Sequence, residues 1–496
     1  MATPALTLDG STPPAAAMVW PMQQRHQSEE QDSQRLWAIR PLASRLAVLR
    51  EARHRLSLIT SELCSAISPA LARTPADTLV AEVLPLLAAC QFLEREAAAT
   101  LASRRLGRKG LPFWLAGVDA TIERVPFGRI LVIAPSNYPL LLPGVQVLQA
   151  LAAGNSVLWK PGEGGGAVAN LMAEALRAAG LPPRLLFVTD ESVEAAEREL
   201  QAGVDKVIFT GSFDAGREVL RRCAESLTPC VMETSGCDAA VVLPSADMRR
   251  VVKALAFGMR LNGSATCMAP RRILLLDPDG TQEQKLLGQL RTALDWVQPA
   301  PVNEATRMRL SALLEEASQA GAEVLGGCEE DRVSPILVLR ASPEMRIAQA
   351  DIFAPVLLLI RCGSEAELLA SHASCSFSLT ASIFGEERKA RALAAKLEVG
   401  TVTINDIIIP TADPRVPFGG RRHSGFGLTR GREGLLEMTA AKVISVRRGR
   451  STRHYDRTGS LHEDLFAAFV RTAHAGRVKA RWHGLRALVR TALKMR

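Results

Sequence analysis

Between residues 129 and 209 short apolar runs alternate with helical runs, and no other feature constrains the fold of this chain as tightly. The runs 129–134, 156–159, 185–188 and 206–209 are apolar, as strands buried on both faces require. Between them lie 167–179, an Ala- and Leu-rich stretch closed by Gly180 and Pro182, and 191–201. Gly just past the last apolar turn and Pro soon after make a helix stop: Gly tolerates the left-handed closing residue, and Pro cannot continue the helix. Strand, helix and strand in repetition predict βαβ crossovers and a parallel sheet with helices on both faces.

A second α/β segment runs over 237–421, and no internal repeat of 20–50 residues is present. Upstream, Leu42, Leu46, Leu49, Leu56 and Leu63 recur at helical spacing within 36–103. Residues 1–35 are rich in Pro, Ser, Gln and Glu without a period and are expected to be flexible. The turn-rich stretch 106–126 is expected to form a projecting hairpin. A chain of 496 residues has room for several domains, so the expected class is a multidomain α/β protein.

Aromatic residues make up only 4% of the chain, so Ala, Leu and Val must fill the core. No uninterrupted apolar run approaches the roughly 20 residues that cross a bilayer. The longest candidate, 130–158, is broken by Asn137, Asn155, three prolines and two glycines. No charged segment followed by an apolar one opens the sequence, so no secretory signal is expected and a cytoplasmic location is. The nine cysteines form no C-x-x-C pair and no metal-ligand spacing, which predicts free thiols and no metal site. Only His54, His372 and His423 lie in the body of the chain, thin provision for a zinc site or a Cys–His peptidase.

The net charge of +9 has a local origin. Residues 446–496 hold 13 Lys or Arg against Asp456, Glu463 and Asp464, a net +10, so the preceding 445 residues sum to −1. The basic character belongs to a tail, which removes the main support for nucleic-acid binding.

Five stretches carry chemistry: Ala134-Pro-Ser-Asn-Tyr-Pro139, Leu158-Trp-Lys-Pro-Gly-Glu163, Phe209-Thr-Gly-Ser212 with Gly216, Met232-Glu-Thr-Ser-Gly236, and Asn262-Gly-Ser-Ala-Thr-Cys-Met-Ala269 with Arg272. Alone, each has a bland explanation: a cap, a turn, a solvated strand end or a small buried thiol. In order and spacing they resemble the aldehyde dehydrogenase superfamily, over roughly 37–446. The likeness continues through Asp351-Ile-Phe-Ala-Pro355, Gly400-Thr-Val-Thr-Ile-Asn405, Pro417-Phe-Gly-Gly420 and Ser424-Gly425. The 34-residue step from Glu233 to Cys267 is the one this family places between general base and nucleophile.

The resemblance implies an α/β fold with a Rossmann-type cofactor domain (36–103 and 126–235), an α/β catalytic domain (236–421) and oligomerisation elements (104–125 and 440–449). A basic amphipathic tail, 450–496, is left over. It implies oxidation of an aldehyde to its acid with NAD, or NADP as the alternative. Cys267 would be the nucleophile, since a thiolate is the best side-chain nucleophile for a carbonyl and a few per cent is ionised near neutral pH. Asn137 and the Cys267 N–H would hold the oxyanion, each such donor being worth roughly 3–4 kcal/mol. Glu233 would activate the water that cleaves the thioester, with its pKa tuned towards neutrality. Lys160 and Glu163 would hold the adenosine ribose, Gly211 and Ser212 the pyrophosphate at a helix N-terminus, and Asp351 and Phe353 the nicotinamide ribose. Glu163 would favour NAD by repelling a 2′-phosphate.

Asp351 is one methylene shorter than the family's Glu. Ser136, Ala265, the Thr234-Ser-Gly-Cys237 run and Ala354 also depart from common residues. They mark a divergent, bacterial-type branch whose substrate cannot be carried over. Ile407-Ile-Ile-Pro410 lies where the family lines its substrate tunnel, which suggests an apolar aldehyde, although a buried strand end would explain it too. Rival readings are acylation of coenzyme A, which Glu233 opposes, and a non-catalytic scaffold. A homodimer or homotetramer is expected, with a C-terminal strand at 442–446. In 471–496 there are eight Lys or Arg and no acid, with Trp482, Leu485, Leu488, Val489, Ala492 and Leu493 at helical spacing. That pattern suits peripheral attachment to an anionic membrane. Packing on protein is the alternative.

Overall fold

The computed structural model describes residues 29–495 apart from Ala72, Glu330, Gly449 and Ser451, so most of the segment expected to be flexible lies outside the described residues. Its end does not behave as expected: Glu29–Ile39 is an α-helix. Trp37 anchors it, buried to 1% exposure with its indole N–H donating to the Leu151 carbonyl, while Gln34 donates to Gly154 O.

The chain divides into two compact units, one comprising residues up to Ser103 with Glu123–Lys442, the other Arg104–Ile122 with residues from Val443 onward. The larger unit holds two sheets. In the first, Leu186–Val188, Ser156–Lys160, Arg129–Ile133, Lys206–Gly211 and Cys230–Thr234 lie side by side in parallel. Gly425–Phe426 closes its edge antiparallel, Gly425 opposite Glu233. The expected strands are therefore present, joined by helices such as Gly166–Ala178, which Gly180 follows at φ +99°.

The second sheet has seven strands in the order Glu323–Leu325, Ile336–Leu339, Val356–Cys362, Arg272–Leu276, Ala239–Val242, Thr380–Phe384 and Thr401–Ile404. All neighbours are parallel except the first pair. These strands are almost wholly apolar because both faces are covered, the compositional mark of parallel sheets. Helices Leu42–Leu58, Leu84–Thr100 and Leu141–Ala153 pack with the first sheet around Leu49, Leu86, Leu93, Leu148 and Trp159. The helical stretch Pro75–Thr100 is long and apolar enough to cross a membrane, a candidate the run-length criterion passed over, but half of it is buried in this core.

In a separate three-stranded sheet Arg104–Arg105 pairs antiparallel with Val118–Pro126, and Thr439–Arg447 makes the third strand. The tail is not one amphipathic helix. Ser460–His474 and Val478–Lys494 pack on each other, and Gly484 sits where a Cβ would lie 2.7 Å from Thr472 N and 3.0 Å from Ala468 O. The predicted apolar stripe consequently splits. Gly484 is buried and Leu488 half-buried, whereas Val478, Trp482, Leu485, Val489 and Leu493 stay exposed, as do Phe466 and Val470.

Candidate active site

Three sequence-distant turns meet beyond the carboxyl ends of the first sheet. Asn137 follows strand Arg129–Ile133, and its side-chain amide donates to Ala265 O at 2.8 Å, leaving one N–H of the amide for another acceptor. Glu233 lies on strand Cys230–Thr234, 3% exposed, with Oε2 accepting from the Thr429 hydroxyl at 3.2 Å and Oε1 without a partner among the described residues. Cys267 follows Asn262, Gly263 and Ser264, three consecutive residues at φ +55°, +55° and +63°. Left-handed geometry at Asn and Ser is costly. It is held by Arg271, buried, which donates to Ser264 Oγ at 2.5 Å and to the Ser264 carbonyl.

Cys267 stands between two cavities. One is polar and lined by Asn137, Gly211, Ser212, Glu233, Asp351 and Phe353. The other is mostly apolar, lined by Tyr138, Leu141, Leu142, Phe257, Met268 and Ile408 among others. Of the three isoleucines, Ile408 and Ile409 line this cavity, while Ile407 is core. Burial pushes the Cys267 thiol well up, helped by the charges of Glu233 and Asp238 and opposed by Arg430. That direction lowers the thiolate share below that of a free thiol, so removal of the proton by a base favours attack. Burial also raises Glu233, again against Arg430 and the Thr429 hydrogen bond, in the direction a general base near neutral pH requires.

Thr210, Gly211 and Ser212 lead into helix Phe213–Ser226, whose N-cap is the Ser212 hydroxyl. A Cβ at Gly211 would lie 2.6 Å from the Phe209 ring, so any larger residue would have to displace that ring. Asp351 is raised by burial despite a Ser235 hydrogen bond, and its Oδ1 has no hydrogen-bond partner among the described residues. Asp351, among the residues lining the polar cavity, suits a ribose hydroxyl, and the helix N-terminus, beyond the one N–H that Ser212 caps, suits a pyrophosphate. These residues fit a dinucleotide. Lys160 and Glu163 are not among the residues lining that cavity, because their strand lies on the far side of Arg129–Ile133 from Gly211 and Glu233. Lys160 is buried and lowered by desolvation, opposed by Glu191, Asp190 and Glu163, while Glu163 is exposed.

Several site residues were invisible to sequence reasoning. Glu191 accepts from Gly164 N and Gly166 N, both at 2.7 Å, and so fixes the turn carrying Glu163. Arg430, buried at φ +61°, donates to Thr411 O at 2.7 Å and lies over Phe418. Tyr138 bonds the Thr266 hydroxyl at 2.7 Å. No short motif marks Glu191 or Arg430, and Tyr138, although inside the Ala134–Pro139 stretch, had no role assigned to it.

Comparison with known proteins agrees with this architecture. The family model described as the aldehyde dehydrogenase family matches residues 25–444. Benzaldehyde dehydrogenase [NAD(+)] of Pseudomonas putida is 33% identical over 84% of this chain and 86% of its own. The 4,4'-diapolycopene aldehyde oxidase of Methylomonas sp is 30% identical over 82% and 78%. The crystal structure of Mycobacterium tuberculosis aldehyde dehydrogenase complexed with NAD+ superposes with a TM-score of 0.76 at 25% identity, over 84% of this chain and 88% of that one. The chain belongs to the aldehyde dehydrogenase family. It is an NAD(P)-dependent oxidoreductase acting on the aldehyde group.

Proposed function

We propose that this enzyme oxidises an apolar aldehyde to the free acid, with Cys267 as nucleophile, Asn137 as oxyanion donor and Glu233 as base. The observation that carries this is the position of Cys267 at the junction of a polar and an apolar cavity. The polar side takes the dinucleotide against Gly211, Ser212, Asp351 and Phe353, with Lys160 and Glu163 towards its adenosine end. When bound, the dinucleotide supplies the hydride acceptor. The apolar side takes the aldehyde.

Glu233 takes the thiol proton, and the sulfur bonds the carbonyl carbon. Asn137 and the Cys267 N–H carry the oxygen's negative charge. Departure of hydride leaves a thioester on Cys267. Glu233 releases the first proton to solvent and, again a carboxylate, takes a proton from water, whose oxygen bonds the acyl carbon while the sulfur leaves as thiolate. The named substrates of two relatives, benzaldehyde and a diapolycopene aldehyde, are apolar, which supports the substrate class.

We further infer a homodimer or homotetramer built through the strand Thr439–Arg447, a cytoplasmic location, and peripheral contact of the helical hairpin with anionic membrane. The exposed stripe Val478, Trp482, Leu485, Val489 and Leu493 beside a run of Lys and Arg supports the last.

The test is turnover of apolar and charged aldehydes with NAD and with NADP, combined with intact-mass trapping. Apolar aldehydes and NAD are expected to give the higher kcat/KM, the product to be free acid, and an acyl adduct to map to Cys267. Undiminished turnover in Cys267→Ala, or a coenzyme A thioester as the obligatory product, overturns the reading.

A further inference from the structure

Beneath the turn that carries Asn137 lies an ion pair with no motif of its own. Arg73 and Glu82 bond each other at 3% and 0% side-chain exposure. A buried pair is costly to desolvate and persists where both ions have further partners. Here both do. Arg73 Nε donates to Asn262 Oδ1 at 2.7 Å, another arm donates to the Asn137 carbonyl, and the guanidinium lies over the Tyr138 ring. Glu82 Oε2 accepts from Leu140 N at 2.9 Å and Leu141 N at 2.8 Å, the free amides opening helix Leu141–Ala153.

The same partners reach the reacting groups. Asn262 Nδ2 donates to Asn137 O at 3.1 Å and to Ala265 O at 3.0 Å, and Ala265 O also receives the Asn137 amide. One guanidinium thus ties the Asn137 turn to the left-handed Asn262–Ser264 stretch that delivers Cys267. The three arms of an Arg fork suit three acceptors in fixed directions, which Lys cannot reproduce.

We propose that Arg73 and Glu82 are positioning residues for the oxyanion site, setting the spacing between the Asn137 amide and the Cys267 backbone N–H. They touch no reacting atom. Their effect falls on carbonyl addition, where oxyanion charge first develops, more than on dinucleotide binding. The proposal rests on the reading of Asn137 as oxyanion donor.

Single-turnover NADH formation, steady-state hydrolysis and NAD affinity are measured for the full chain, Arg73→Lys, Glu82→Gln, Arg73→Ala with and without guanidinium, and Asn137→Ala. Arg73→Lys and Glu82→Gln are expected to slow the first turnover by about 10- to 100-fold, as misplacement by 1 Å does, with near-normal NAD affinity. Guanidinium is expected to restore part of the Arg73→Ala rate. A first turnover within about threefold of the parent in both Arg73→Lys and Glu82→Gln overturns the proposal. Equal loss of NAD affinity in those two variants also overturns it, since that marks a general structural role. If Asn137→Ala alone is slow, this proposal fails and the Asn137 reading stands. If Asn137→Ala keeps its first turnover, the Asn137 reading itself fails.

Discussion

Gly162→Ala adds one methyl group to the site's frame. A Cβ at Gly162 would lie 2.3 Å from the Pro135 carbonyl carbon, 2.4 Å from its oxygen and 2.5 Å from Ser136 N. Ordinary contact requires roughly 3.5 Å, so the Pro135–Ser136 peptide must retreat by about 1 Å. No flexible side chain is there to absorb it. The next residue is Asn137, whose amide is held at 2.8 Å from Ala265 O. Overpacking of this kind costs about 1–3 kcal/mol of stability. Misplacing a catalytic donor by 1 Å costs about 100-fold in rate. Gly162→Ala is therefore expected to fold, with a lowered thermal midpoint, and to lose about 10- to 100-fold in first-turnover NADH formation by stopped flow. Gly288→Ala is the control: on helix Thr281–Leu294, with no atom of another described element within 4 Å of the added methyl, it should leave the rate unchanged. A first turnover within about threefold of the parent in Gly162→Ala would refute the claim that the Pro135–Asn137 turn sets the oxyanion geometry.

The deacylation rate is expected to rise with pH along a limb above the ordinary carboxylate range, because burial raises Glu233 and only its deprotonated form accepts a proton from water. Glu233→Gln should remove that limb, and slow both thiol deprotonation and thioester hydrolysis; a pH limb unchanged in the variant assigns the base elsewhere. The full chain should float with vesicles containing anionic lipid, less so at high salt, and a chain ending at residue 449 should not. Equal flotation of the two, or none, rules out membrane contact by the hairpin.

Cys267, Asn137 and Glu233 could be picked out of the sequence only because their motifs, in order and spacing, resemble the aldehyde dehydrogenase family; the fold brings all three to one cavity. Gly211 and Ser212 were legible for the same reason. Arg73 and Glu82 were not. Their partners Asn262 and Leu141 are 189 and 59 residues away, and no local pattern encodes such a distance. The upward shift of the Cys267 thiol could not be read from sequence, because it depends on burial and on Glu233 and Asp238, which meet only in the fold. The helix Glu29–Ile39 was hidden by a polar composition, since one buried Trp37 suffices to dock it. In the tail, nothing in the sequence marked Gly484, where a Cβ would lie 2.7 Å from Thr472 N of the neighbouring helix.

The antiparallel strand Gly425–Phe426 bears on how the site matures during synthesis. Gly425 pairs with Glu233, Ser424 Oγ donates to Ser235 O at 2.8 Å, and Thr429 holds the Glu233 carboxylate. Glu233 therefore leaves the ribosome long before the residues that fix it. At ordinary translation speeds the gap of 192 residues amounts to roughly 10–40 s. Throughout that interval the strand Cys230–Thr234 has an open edge, a template for pairing with another chain. A nascent chain stalled before residue 425 would contain Asn137, Glu233 and Cys267 and yet lack the segment that seals the sheet beside Glu233.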